Sequence, residues 1–192
     1  FLGFAIKLPI VPFHTWLPDA HVEASTPISV ILAALLLKLG GYGLYRIAFS
    51  IFPDVAFNFG YFIAAGGVLA IIYGGLNAMA QNDLKRMIAY SSISHMGFVL
   101  VGLGSFTVEG ATGGVFQMIA HGFISAALFL IVGVLYDRIQ NRRIENFSGL
   151  ASKLPGYSFV VMIVFFASLG LPGLAGFVGE LLVLMGAFKV NL

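Results

Sequence analysis

Cysteine is absent from all 192 residues, so no disulfide, iron–sulfur cluster or thiolate metal site can form on this chain. Charge is scarce too. Asp, Glu, Lys and Arg together make up 9% of the residues, where an ordinary soluble domain carries about 25%. A net charge of +2, with the basic residues scattered, excludes a phosphate-binding face and a nucleic-acid partner. The opening Phe1-Leu-Gly-Phe lacks an initiator methionine and the basic stretch of a secretion signal. The chain therefore reads as an internal piece of a longer protein.

What fills the sequence is hydrocarbon: 59% of residues are hydrophobic and mean hydropathy is +1.00. An integral membrane protein in contact with a lipid bilayer is expected. A bilayer core of about 30 Å needs about 20 apolar residues in a helix. Residues 26–49, 58–80, 87–106 and 113–136 meet that test. Two more apolar segments, 1–22 and 157–190, are interrupted by proline at Lys7-Leu-Pro9-Ile-Val-Pro12 and Gly170-Leu-Pro172-Gly173. Proline frees backbone groups at membrane depth, where only another helix or a wet cavity can satisfy them. A pair of such breaks points to a transporter built from inverted repeats, whereas a single one reads as a plain kink. The expected fold is all-α: a polytopic transmembrane helix bundle with two discontinuous helices, forming one transmembrane domain over 1–192. Thr26-Pro27 predicts an N-cap with proline at the first helical position. The glycines at 40, 41, 43, 66, 67, 74 and 75 are expected to allow close helix packing.

Orientation follows from the loops. Those at 81–86 and 137–156 hold Lys85, Arg86, Arg138, Arg142, Arg143 and Lys153, while those at 50–57 and 107–112 hold only Asp54 and Glu109 as charged residues. The basic loops are expected on the cytoplasmic side of a bacterial inner membrane. Arg46 goes against this trend, and snorkelling toward Asp54 would accommodate it.

Five ionisable residues lie inside apolar segments: Lys7, Lys38, His95, His121 and Glu180. Such groups are costly in a membrane and usually mark an ion or proton path. Lys38 is mid-span, roughly 16 Å from either interface, so it cannot snorkel to water. Taken out of water, a lysine loses part of its preference for the charged form, which suits proton exchange. A static lysine paired with a carboxylate elsewhere is the alternative. Lys7 precedes Pro9, so its ammonium would approach the carbonyl end of a broken helix, either in a pathway or as a C-cap. His95 and His121 fall on consecutive spans, as proton relays or as hydrogen-bond links between helices. Glu180 follows the second break, near the positive end of a half-helix expected to start near Leu174. In Phe13-His-Thr-Trp16-Leu-Pro-Asp19-Ala-His21-Val-Glu23, Asp19 and Glu23 share a helical face and His21 does not. That spacing suits a polar mouth at the cytoplasmic surface better than a metal site.

Trp16-Leu-Pro-Asp-Ala-His-Val-Glu23, Leu35-Leu-Leu-Lys-Leu-Gly-Gly-Tyr-Gly43, Ile88-Ala-Tyr-Ser-Ser-Ile-Ser-His-Met-Gly97 and Met118-Ile-Ala-His-Gly122 run in order along the chain. Together they resemble the antiporter-like membrane subunits of respiratory complex I, the proton-pumping NADH:quinone oxidoreductase, and within them the chain 4 (M-type) kind. The wider family includes multisubunit cation/proton antiporters. The resemblance implies a bundle of inverted five-helix repeats. It places Lys7 as the broken-helix lysine, Lys38 as that of the next helix, His95 and His121 on a polar central axis, and Glu180 as the acid of the second broken helix. Related chains 2 and 5 usually carry lysine at that last position. Ala24-Ser-Thr-Pro27 departs toward the chain 5 pattern. The resemblance further implies a non-redox translocase subunit without a cofactor of its own; flavin, iron–sulfur clusters and quinone would sit on partner subunits.

Three other readings are compatible with the residues. One is a cation/proton antiporter or membrane-bound hydrogenase subunit of the same bundle. Another is a haem-carrying electron-transfer subunit with His95 and His121 as axial ligands. The last is a structural module whose polar residues only hold helices together.

Overall fold

The structure, a computed structural model, describes residues 1–190, so the end of the expected 1–192 domain lies outside the described residues. The first broken segment supplies α1 (Leu2–Lys7) and α2 (Trp16–Glu23). Four long helices follow: α3 (Thr26–Ile51), α4 (Gly60–Met79), α5 (Leu84–Gly104) and α6 (Val108–Ile139). The second broken segment gives α7 (Pro155–Ser168) and α8 (Ala175–Lys189). Each of α3 to α6 is long and apolar enough to cross a membrane. The expected all-α transmembrane bundle with two interrupted helices is what forms.

Capping explains where α5 and α6 begin, several residues before the apolar windows. Asp83 accepts hydrogen bonds from the backbone N–H of Lys85 and Arg86, and Thr107 accepts from that of Gly110. Helix α6 ends where Gln140 turns left-handed at φ 53°. The N-cap of α3 is Ser25, one residue before the expected Thr26, with Thr26 and Pro27 inside the first turn. Ser25 holds the extended backbone a cap requires (ψ 159°), and its preceding position leaves Pro27 where a missing N–H costs nothing. Helix α3 also widens to π-type turns at Leu32–Leu36 and Leu44–Ala48, on either side of Lys38.

Both breaks have local solutions. The indole N–H of Trp16 donates to the carbonyl of Ile6 at 2.9 Å, satisfying a group near the end of α1. Gly170 and Gly173 take φ +67° and +93°, which glycine adopts without steric cost, and α8 starts after Leu174 as expected.

Small residues set the helix spacing. A methyl on Gly67 would lie 2.7 Å from the Gly97 carbonyl, and one on Gly74 2.7 Å from the Ser94 N, so α4 and α5 meet almost backbone to backbone. Gly40, Gly41 and Gly43 are equally crowded. The expectation fails at Gly66, which has nothing within 4 Å, and at Gly75, whose nearest neighbour is the Ser94 hydroxyl at 3.9 Å. Each sits one residue round the helix from the contact line, so its Cα faces outward.

Charged residues collect at the two ends of the bundle. At the basic end Arg86 pairs with Asp19 (2.8 Å) and Arg142 with Asp83 (3.3 Å). Arg142 also donates to the carbonyl of Val22 and Lys85 to that of Ala24, both at the end of α2. The opposite end is less clean than the loop count implied, because Lys189 pairs there with Glu109. Arg46 and Asp54 line one shallow depression there but form no ion pair among the described residues.

Candidate functional site

Lys38, His121, His95 and Glu180 come from four different helices, α3, α6, α5 and α8, and meet inside the bundle. Lys38 Nζ donates to the carbonyl of Ala33 at 2.5 Å and stands 2.7 Å from His121 Nδ1. One ammonium thus bridges its own widened helix and the imidazole of another. The rings of His121 and His95 follow, with centroids 5.3 Å apart and planes tilted by 48°. His95 Nδ1 lies 3.4 Å from Glu180 Oε1. Beside this contact stands the amide of Gln117, its Nε2 3.5 Å from both His95 Nδ1 and Glu180 Oε1. The order is therefore Lys38, His121, His95 and Glu180, with Gln117 alongside the last pair.

The line is sheltered. His121 is buried, and the side chains of His95 and Glu180 retain only 16% and 19% of their exposure. Above it α6 and α8 run antiparallel at glycine spacing: a methyl on Gly113 would sit 2.6 Å from the Val183 N, and one on Gly179 2.5 Å from Gln117 Oε1. Glu180 is in the second turn of α8, one turn beyond the free N–H groups of that helix start. Its carboxylate also packs against Gly170 in the break.

Lys7 is not brought into the line. It ends α1 with its side chain exposed and without a side-chain hydrogen bond among the described residues. Its backbone does abut α3, since a methyl on Gly40 would lie 3.0 Å from Lys7 Cβ.

Sequence reasoning passed over Gln117 because glutamine is uncharged; its position four residues before His121, one helical turn away on the same face, was the available signal. It also placed His14 and His21 at a polar surface, whereas both are buried, at 4% and 0% exposure. His21 stacks on Phe129 with centroids 4.4 Å apart, and His14 meets Tyr73 edge-on at 4.8 Å. Neither ring has a hydrogen-bond partner among the described residues. Asp19 and Glu23 are exposed on α2, as their shared face implied. No group of three His, Cys, Asp or Glu side chains among the described residues is arranged to hold a metal ion. The haem reading requires a macrocycle between His95 and His121. Rings whose centroids are only 5.3 Å apart leave no room for one between them.

A family profile described as NADH:quinone oxidoreductase/Mrp antiporter, transmembrane, matches residues 1–192. The chain is 54% identical over 191 residues to the NADH-quinone oxidoreductase subunit M of Rickettsia conorii, covering 100% of this chain and 39% of that protein. It thus spans about two fifths of the length of that relative. A chain of the respiratory complex I structure from Thermus thermophilus with bound NADH superimposes with a TM-score of 0.92 at 38% identity, over 99% of this chain and 41% of that one. A chain of the Mrp complex from a Dietzia species gives a TM-score of 0.93 at 27% identity, over 99% and 35%.

Proposed function

This chain belongs to the NADH:quinone oxidoreductase/Mrp antiporter transmembrane family, and we propose that it translocates protons as part of a chain 4 (M-type) membrane subunit of NADH:quinone oxidoreductase. The observation that carries this reading is the Lys38–His121 contact at 2.7 Å, opening onto His95 and Glu180. A lysine held against an imidazole can hand its proton to Nδ1 without either side chain moving far. The two imidazoles are neighbours, with ring centroids 5.3 Å apart, and His95 can then pass a proton toward the Glu180 carboxylate.

Protons would be taken up from the basic end, on the cytoplasmic side of a bacterial inner membrane, and released on the other side beyond Glu180. Lys7 joins by resemblance alone, through the abutment of α1 on α3. The chain has no redox role in this reading. Flavin, iron–sulfur clusters and quinone belong to partner subunits, whose reaction drives the charge movements, and residues 1–192 act as one transmembrane domain within the larger bundle.

Lys38→Ala and Lys38→Arg in the full-length subunit test the assignment. Arginine keeps the charge and the reach to His121 but cannot give up its proton. Both variants are expected to assemble and to lose proton pumping in sealed vesicles. Normal pumping by Lys38→Arg would rule out a transferring role for this lysine. The likeness to the Dietzia Mrp chain favours one second reading, cation/proton antiport. A transport rate that rises with sodium at fixed pH would select it.

A further inference from the structure

Gln117 is 2% exposed, and its amide oxygen has no hydrogen-bond partner among the described residues, although its amide nitrogen faces two groups at once. A buried, half-satisfied amide is costly unless its surroundings change. Those surroundings are His95 Nδ1 and Glu180 Oε1, the two atoms between which a proton would pass. Deepening the relay reading above, on which it rests, we propose that Gln117 is the positioning residue of the His95–Glu180 step and that half-turn rotation of its amide couples the proton loads of the two groups.

The matching of donors to acceptors gives the mechanism. When His95 is neutral with Nδ1 unprotonated and Glu180 is ionised, both facing atoms accept, and the amide NH2 is the correct partner. When one proton is added, to His95 Nδ1 or to Glu180, one of the two atoms becomes a donor, and the amide oxygen is the correct partner for that atom. Transfer moves one proton from imidazolium Nδ1 to carboxylate Oε1, leaving neutral imidazole and carboxylic acid. The amide itself gains and loses nothing. Its rotation breaks no bond at the oxygen, which is unpartnered. Gly179 leaves room for the turn, because a methyl there would lie 2.5 Å from Gln117 Oε1.

The surroundings add few competing charges. From α6 comes His121, with Lys38 of α3 beyond it; the break before α8 presents the Gly170 backbone to Glu180. The Glu109–Lys189 pair lies at the far end of α8, and the one ionisable side chain of α7, Tyr157, donates to the Ile131 carbonyl. Glutamine is therefore the nearest polar neighbour common to both ends of the step.

The test uses the full-length subunit in its assembled enzyme, with proton pumping followed from acid to alkaline pH and NADH oxidation as the check on assembly. Gln117→Met keeps length and removes the amide. It should assemble, pump about tenfold less at neutral pH, and have a pH profile displaced by about one unit. A structural role would lower the amplitude without moving the profile. Should Gln117→Met fail to assemble, Gln117→Asn decides, since it keeps an amide but draws it back by one methylene from both groups, and the same displacement is expected. A wild-type profile in the assembled variant overturns the proposal. Lys38→Ala separates the two levels: if it also pumps normally, the relay reading itself has failed, and if it stops pumping while Gln117→Met has a wild-type profile, only the role of Gln117 falls.

Discussion

Adding one methyl group at Gly113 should uncouple the two halves of the polar line without touching an ionisable residue. The alanine Cβ would lie 2.6 Å from the Val183 N and 2.8 Å from Leu182 Cβ, where ordinary contact begins near 3.4 Å. Val183 presents rigid helical backbone, so α8 must retreat from α6 by about 0.8 Å. Carried down the helix, that retreat takes His95 Nδ1 and Glu180 Oε1 from 3.4 Å to roughly 4.2 Å, and Gln117 loses its reach to the carboxylate. For a protonated imidazole the lost attraction is about 1 kcal/mol at an effective dielectric near 20, and a lost hydrogen bond adds about 1 kcal/mol. Together these correspond to a fall of about thirtyfold in a step that depends on the contact. The assay is acidification of inverted vesicles per NADH oxidised, with Gly66→Ala as control because nothing lies within 4 Å of Gly66. Equal pumping by Gly113→Ala and Gly66→Ala, with both assembled, would refute the claim that glycine spacing holds the relay in reach.

Two further perturbations probe the frame around the line. Phe129→Ala removes a fully buried ring from against His21 and should cost about 3–5 kcal/mol, read as a lower midpoint of unfolding in detergent; a midpoint within error of wild type would mean that the stacking is not rigid. Asp83→Ala removes the cap of α5 and the partner of Arg142, and should cost about 1–2 kcal/mol and speed hydrogen exchange at Lys85 and Arg86, with unchanged exchange counting against the cap.

The transmembrane architecture was legible because a bilayer imposes length and composition on every span. Residues 26–49 and 58–80 were bounded to within two residues by hydropathy alone. The starts of α5 and α6 were not, because the caps Asp83 and Thr107 are polar and fall outside any apolar window. The breaks could be read from proline, and the start of α8 from the glycine–proline sequence before it. The π-type turns flanking Lys38 had no sequence signature, since they depend on how α3 fits its neighbours.

For the site, the residues that resist burial most strongly were the visible ones. Charge in an apolar run is conspicuous, so Lys38, His95, His121 and Glu180 could be named, and they do converge. What sequence could not supply was the order of contact, because each residue sits on a different helix and the order depends on helix packing. Glutamine costs less to bury than a charge and leaves a fainter trace, yet Gln117 lies within hydrogen-bonding range of both His95 Nδ1 and Glu180 Oε1. Lys7 makes the opposite case: it is as conspicuous in sequence as Lys38 but has no side-chain partner among the described residues, while Lys38 is anchored by both a carbonyl and an imidazole. A charge in an apolar run therefore identifies a candidate, and the partners that the packed helices bring to it decide whether a proton has somewhere to go.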